Sequence, residues 1–187
     1  MYFDCIIAGF GGQGVMLAGN ILAYAAMVES KKVTYMPVYG VEMRGGTANC
    51  TVVISDREIG SPVIQSPVSA IVMNKPSYDK FASKVKRGGL IVANENLVPK
   101  DVERPSNVKI LFVPARDLAL EAGSDRLLNM VMLGALAKKS GVISIGSLKK
   151  ALSSAIDEKY HSMIPLNSSA IDMGAKFVET ACQAGVL

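Results

Sequence analysis

Phe3-Asp4-Cys5-Ile6-Ile7-Ala8 is a short apolar run that leads straight into Gly9-Phe10-Gly11-Gly12-Gln13-Gly14. From Gly14 to Val28, Val15, Ala18, Leu22 and Ala25 recur at helical spacing on one face. A buried strand, a glycine turn and a helix in that order predict the opening of an α/β fold. Glycines permit a tight turn and close approach of a ligand to the backbone, and the free N–H groups of the following helix carry partial positive charge. The same glycines also serve simply to seat a helix closely on a strand. Phosphate or anion binding and tight packing both remain open for Gly9, Gly11, Gly12, Gln13 and Gly14.

Outward from this stretch, strands alternate with helices. Val33–Met36 reads as a second strand stopped by Pro37, and Val38 to Gly46 as a loop. Thr47–Ile54 is the strongest strand signal, and the short irregular stretch after it suits antiparallel pairing. Ser69–Met73, Leu90–Ala93 and Val108–Val113 are further strands. Helices are predicted over Pro76–Lys86, Ala115–Ala122 and Asp125–Ser140. Two more close the chain, Ser147–Ile156 and Asn167–Ala184, with Ser147 and Asn167 as their N-caps. The pattern predicts an α/β, Rossmann-like fold: a mostly parallel, doubly wound sheet with a helical C-terminal part.

The composition narrows the function. The chain has 187 residues, enough for one domain and a substantial core. Half of its residues are hydrophobic and only 19% are charged, which excludes intrinsic disorder and hints at apolar surface covered by another chain. Cys5, Cys50 and Cys182 stand far apart, form no CxxC pair and suit a reducing cytoplasm. His161 is the single histidine, so no histidine-based metal site can form, and it reads as a satisfied or surface residue. The net charge of +4 is mild, and Lys84, Lys86 and Arg87 read as a solvated helix end rather than a nucleic-acid patch. The apolar run Val15–Val28 contains Asn20 and is too short to span a bilayer. Met130 and Met132 belong with Leu127, Leu128, Val131 and Leu136 in a core or subunit contact. Asp172 and Glu179 share a helix face rather than forming a carboxylate pair.

The glycine turn lacks the partners of a dinucleotide site. No acid stands at the end of the second strand, where Pro37, Val38 and Tyr39 lie, and Glu29 precedes that strand. Gly14 is followed by Val15 and Met16, not by the Lys-Ser/Thr of a P-loop. A second loop, Tyr39-Gly40-Val41-Glu42-Met43-Arg44-Gly45-Gly46-Thr47, sets Glu42 and Arg44 between glycines at the expected carboxyl edge of the sheet. Arg44 there reads either as half of a surface ion pair or as a fork for an anionic ligand or a partner's carboxylate.

Gly9 to Ala26 together with Tyr39 to Ser55 resembles the gamma subunit of 2-oxoacid:ferredoxin oxidoreductases, a family that carries a GxGGQG loop and an E-x-RGG loop. The segment Asn74-Lys75-Pro76-Ser77 and the helical stretch Asn129 to Ala135 extend the resemblance, while Val41 stands where many relatives have proline. The resemblance implies one gamma-type domain over residues 1–187, serving a cytoplasmic enzyme. Such an enzyme oxidatively decarboxylates a 2-oxoacid to an acyl-CoA and passes electrons to ferredoxin; the sequence looks nearest to the 2-oxoglutarate and branched-chain types. Thiamine diphosphate with Mg2+ lies between alpha and beta subunits, and iron–sulfur clusters lie in the beta subunit and a ferredoxin-like delta subunit. The gamma chain is then non-catalytic and holds none of these groups alone. Its glycine turn is a cofactor contact, and Glu42, Arg44, Gly45, Gly46 and Asn74 meet CoA or a neighbouring subunit. The rival expectation from the residues is a stand-alone nucleotide- or CoA-binding module without redox chemistry.

Overall fold

The computed structural model describes residues 1–39 and 47–183. Its six strands form one sheet in the order β2-β3-β1-β4-β5-β6. They are β1 (Tyr2–Phe10), β2 (Lys32–Tyr39), β3 (Thr47–Ser55), β4 (Ser69–Val72), β5 (Leu90–Asn94) and β6 (Lys109–Val113). β1 pairs parallel with β4, β4 with β5, and β5 with β6. β3 lies antiparallel between β1 and β2, as its short exit predicts. Five strands therefore point the same way, and the carboxyl ends of β1, β2, β4, β5 and β6 share one edge.

Hydrophobicity on both faces explains the uninterrupted apolar character of the central strands. Cys5, Ile7, Cys50, Val52, Ile54, Ile71, Val92 and Leu111 point into the larger core. That core is closed by α1 (Val15–Val28), α3 (Ala115–Glu121), α4 (Leu128–Ser140), α5 (Ile145–Ala155) and α6 (Ile164–Gln183). On the opposite face Ala70, Val72, Ile91 and Ala93 meet Tyr78 of α2 (Lys75–Phe81), with Ala82 and Val85 just beyond it. The winding is uneven, with α2 alone among the labelled helices on that second face. Asp4, the third residue of β1, is fully buried and accepts a hydrogen bond from the Val68 N–H.

Several boundaries differ from expectation, each for a local reason. β1 continues through Gly9 and Phe10, because both still pair with β3, opposite Ala48 and Thr47. β2 runs through Pro37 to Tyr39; it is an edge strand, where a missing N–H need not break the ladder. α2 begins at Lys75 under the Asn74 cap and tightens into a 3-10 turn at Ala82–Lys84. Asp125–Leu127 is likewise a 3-10 turn ahead of α4. Ser147 is not a cap: Ser144 is, its hydroxyl accepting from the Ser147 N–H at 3.0 Å. Asn167 is not a cap either. A 3-10 turn over Glu158–Met163 leads directly into α6, and Asn167 lies inside that helix, donating to the Met163 carbonyl at 2.7 Å.

α4 and α6 cross at two glycines. A Cβ on Gly134 would overlap the Ile171 carbonyl, and one on Gly174 the Val131 carbonyl. The backbones approach closely only because neither position carries a side chain. Gly134→Ala is therefore expected to cost about 1–3 kcal/mol by overpacking, whereas Gly60→Ala, with open space around it, should stay within about 0.5 kcal/mol. Urea unfolding of the two variants checks this.

Candidate functional site

The carboxyl edge of the sheet gathers a ring of carboxamides around the glycine turn. β1 ends at Phe10, and Gln13 folds back over that end. Its N–H donates to the Phe10 carbonyl at 3.1 Å, and its Oε1 accepts from the Phe10 N–H at 2.7 Å. The same Oε1 accepts from Asn74 Nδ2 at 2.9 Å. Asn74 Oδ1 in turn caps α2 by accepting from the Ser77 N–H at 2.9 Å. One side chain thus ties the end of β1 to the start of α2. Gly9 lies beneath it: a Cβ there would stand 2.7 Å from Gln13 Oε1 and 3.1 Å from Met73 Cβ.

Met73 sits at the centre of this edge. Its N–H donates to the Ala8 carbonyl at 2.9 Å, extending the β1–β4 pairing by one residue. Its carbonyl accepts from Asn94 Nδ2 at 3.2 Å, and Gln13 Nε2 approaches it at 3.5 Å. Asn74 and Asn94 are 2% and 1% exposed, so these are interior bonds whose loss leaves polar groups unpaired.

Gly14 closes the turn with φ 72°, the left-handed region that favours glycine. Its carbonyl accepts from the Ala18 N–H at 2.9 Å, the first bond of α1, and from Asn129 Nδ2 at 3.1 Å. A Cβ at Gly14 would run into the Asn129 carboxamide. Between these anchors Gly11 and Gly12 are exposed, and nothing stands within 4 Å of where a Gly12 Cβ would lie. α1 starts without a side-chain cap, so its first N–H groups remain available at this edge.

The structure brings Gly9, Gly11, Gly12, Gln13, Gly14 and Asn74 together. Gln13 and Asn74 spend their amide oxygens inside the fold, Gln13 on Phe10 and Asn74, and Asn74 on Ser77. Glu42, Arg44, Gly45 and Gly46 lie outside the described residues. The strand ends that flank them are at this same edge, Thr47 opposite Phe10 and Tyr39 opposite Ala48. Asn94 and Asn129 are site residues that sequence reasoning missed. An asparagine inside the otherwise apolar run Leu127–Ala137 was the available signal for Asn129.

Among the described residues the chemistry on offer is neutral: backbone N–H groups and carboxamides, which can hold an anion or a partner's carbonyl but cannot exchange protons. The two buried thiols are inert. Burial pushes Cys5 far up and Cys50 up to about 12. His161 Nε2 lies 2.9 Å from the Ile156 carbonyl. Asp172 and Glu179 pair separately with Lys149 and Lys138. Among the described residues no group of three His, Cys, Asp or Glu side chains could hold a metal ion. These residues do not fit an iron–sulfur cluster or a Mg2+–diphosphate site.

The profile of the pyruvate ferredoxin/flavodoxin oxidoreductase family matches residues 4–177. The chain belongs to that family. Among curated relatives, the 2-oxoglutarate synthase subunit KorC of Methanocaldococcus jannaschii is 36% identical over 148 residues, 78% of this chain and 79% of the relative. The ketoisovalerate oxidoreductase subunit VorA of Methanothermobacter marburgensis is 42% identical over 130 residues; these are 70% of this chain but 27% of that protein, so the chain spans only about a quarter of VorA. The solved gamma subunit of a keto/oxoacid ferredoxin oxidoreductase from Geobacter sulfurreducens superposes with a TM-score of 0.82 at 29% identity. That match covers 96% of this chain and 99% of the other. The 2-oxoglutarate:ferredoxin oxidoreductase of Magnetococcus marinus, solved with 2-oxoglutarate, coenzyme A and succinyl-CoA bound, gives 0.83 at 26% identity, over 96% of this chain and 31% of that one. As in these relatives, the family member described here combines a mixed, mostly parallel sheet with a C-terminal helix.

Two outcomes follow for the isolated chain. Gln13→Ala strands the Phe10 N–H and Asn74 Nδ2 and should lower stability by about 1–3 kcal/mol in urea unfolding. At pH 8 a thiol reagent should label the exposed Cys182 in the native protein. Cys5 and Cys50, protonated and buried, should react only after denaturation.

Proposed function

We propose that this chain is the gamma-type subunit of a multi-subunit 2-oxoacid:ferredoxin oxidoreductase acting in the cytoplasm. Its holoenzyme decarboxylates a 2-oxoacid oxidatively to an acyl-CoA and reduces ferredoxin. The observation that carries the reading is the near end-to-end correspondence with the Geobacter sulfurreducens gamma subunit. 2-Oxoglutarate is favoured as the substrate by the KorC relatives and the Magnetococcus marinus enzyme. Alpha, beta and ferredoxin-like delta subunits are the proposed partners, and ferredoxin meets the assembled complex.

In this reading thiamine diphosphate with Mg2+ and the iron–sulfur clusters sit on those partners and supply the carbanion and electron-transfer chemistry. This chain contributes a surface. The exposed Gly11–Gly12 backbone and the start of α1 face a phosphate of CoA, because backbone N–H groups and a helix dipole favour an anion. Glu42, Arg44, Gly45 and Gly46 complete the contact from the neighbouring loop, toward CoA or a partner chain. Gln13 and Asn74 support the turn from beneath.

The lone chain is expected to show no oxoacid-dependent dye reduction and to bind neither iron nor thiamine diphosphate. In the assembled enzyme Gly11→Asp places a carboxylate on the exposed turn. It should raise the KM for CoA by about tenfold or more, the equivalent of ~1.4 kcal/mol, with the melting temperature of the lone chain nearly unchanged. Activity from the lone chain, or an unaltered CoA response in Gly11→Asp, contradicts the reading.

A further inference from the structure

Asn129, the second residue of α4, is a polar residue in a sequence that is otherwise core. Its neighbours Met130, Val131, Met132 and Leu133 are completely buried, and Asn129 itself is 3% exposed. Burying a carboxamide costs free energy unless its hydrogen bonds are made. Its oxygen accepts from the Met130 N–H at 3.1 Å, which fixes the plane of the amide. Its nitrogen donates to the Gly14 carbonyl at 3.1 Å, across the interface between α4 and the glycine turn. A carboxamide nitrogen carries two N–H donors, and among the described residues Gly14 is the acceptor for one of them. The other donor of this nearly inaccessible side chain has no acceptor among the described residues.

α4 cannot easily move to relax this contact. Its crossing with α6 is closed at Gly134 and Gly174, where each backbone meets the other's carbonyl. The turn cannot easily move either, since Gln13 and Asn74 tie its other side to β1 and α2. Asn129 is thus the link through which the rigid helical layer sets the position of Gly14, and with it the exposed Gly11–Gly12 backbone.

We infer that Asn129 is a positioning residue for the CoA-dependent half of the reaction: it holds the glycine turn in the shape that receives a CoA phosphate. This rests on the reading that the turn faces CoA. It adds a residue from α4 to that site and requires the residue to act only on the phosphate-bearing part of the acyl acceptor.

The test uses the assembled enzyme with two acceptors, CoA and pantetheine, which offers the same thiol without any phosphate. Asn129→Asp keeps the side-chain shape but removes the N–H that Gly14 receives. The expected result is a rise in the KM for CoA of about three- to tenfold, the scale of one lost hydrogen bond, with kcat and the KM for pantetheine unchanged. Val98→Ala, which opens a space in the core on the opposite face of the sheet, should lower the melting temperature without separating the two acceptors. If Asn129→Asp behaves like Val98→Ala, or raises both KM values together, Asn129 is only structural and the inference falls. Asn129→Ser serves if Asn129→Asp does not assemble. Failure of both to assemble, where Val98→Ala succeeds, makes Asn129 an assembly residue and also overturns the inference. Gly11→Asp separates the two levels. An effect of Gly11→Asp on the CoA KM without one of Asn129→Asp removes Asn129 alone, whereas no effect of Gly11→Asp removes the site itself.

Discussion

The Gln13 side-chain oxygen receives two donors at once, the Phe10 N–H and Asn74 Nδ2, and the geometry of the carboxyl edge depends on that pair of hydrogen bonds. It closes the glycine turn over Gly9, where no side chain fits, and it anchors the residue that caps α2. From the other side Asn129 fixes Gly14, whose left-handed backbone starts α1. A stretch of glycines between strand and helix would otherwise be among the most entropically costly segments to order. Here two carboxamides order it and leave only Gly11 and Gly12 presented outward.

The glycine turn follows a dinucleotide-like fingerprint without the acid that a dinucleotide site asks for. The turn has the tight backbone that the pattern requires, but Pro37 and Tyr39 occupy the end of β2, where a ribose-binding acid would stand. The space beside the turn is bounded by strand ends whose connecting segment carries Glu42 and Arg44. Metal and redox chemistry have no ligands among the described residues, and the two buried thiols are protonated. In VorA and the Magnetococcus marinus enzyme the equivalent of this chain is one portion of a longer polypeptide.

Much of the fold was legible because its signals are local. Short apolar runs located every strand of the sheet, the first of them ending in glycine, and the short exit from Thr47–Ile54 foretold the antiparallel β3. What was missed depended on tertiary placement. Pro37 stops a central strand but not an edge strand, and the sequence does not say which β2 is. Ser147 and Asn167 have the right chemistry for caps, but Ser144 lies better placed for one helix and a 3-10 turn leads directly into the other. In the candidate site the glycines and Gln13 were readable from their pattern. Asn94 and Asn129 were not, since each is joined to the turn only by long-range packing: Asn129 is 115 residues from Gly14 in the chain. The pattern left ligand contact and tight packing both open for Gln13; in the fold its amide oxygen accepts from Phe10 and Asn74.

The central claim is that this chain works as a subunit and not as a binding module by itself. The most direct measurement is anaerobic co-expression of the chain, tagged, with the genes adjoining its own, followed by purification and assay for 2-oxoacid- and CoA-dependent reduction of a viologen dye. The account predicts a stable complex in which the tagged chain co-elutes with chains carrying thiamine diphosphate and iron, and with dye-reducing activity that is lost when this chain is omitted. A tagged monomer that retains a nucleotide or CoA tightly by itself, with no such partners and no oxoacid-dependent activity, would contradict it.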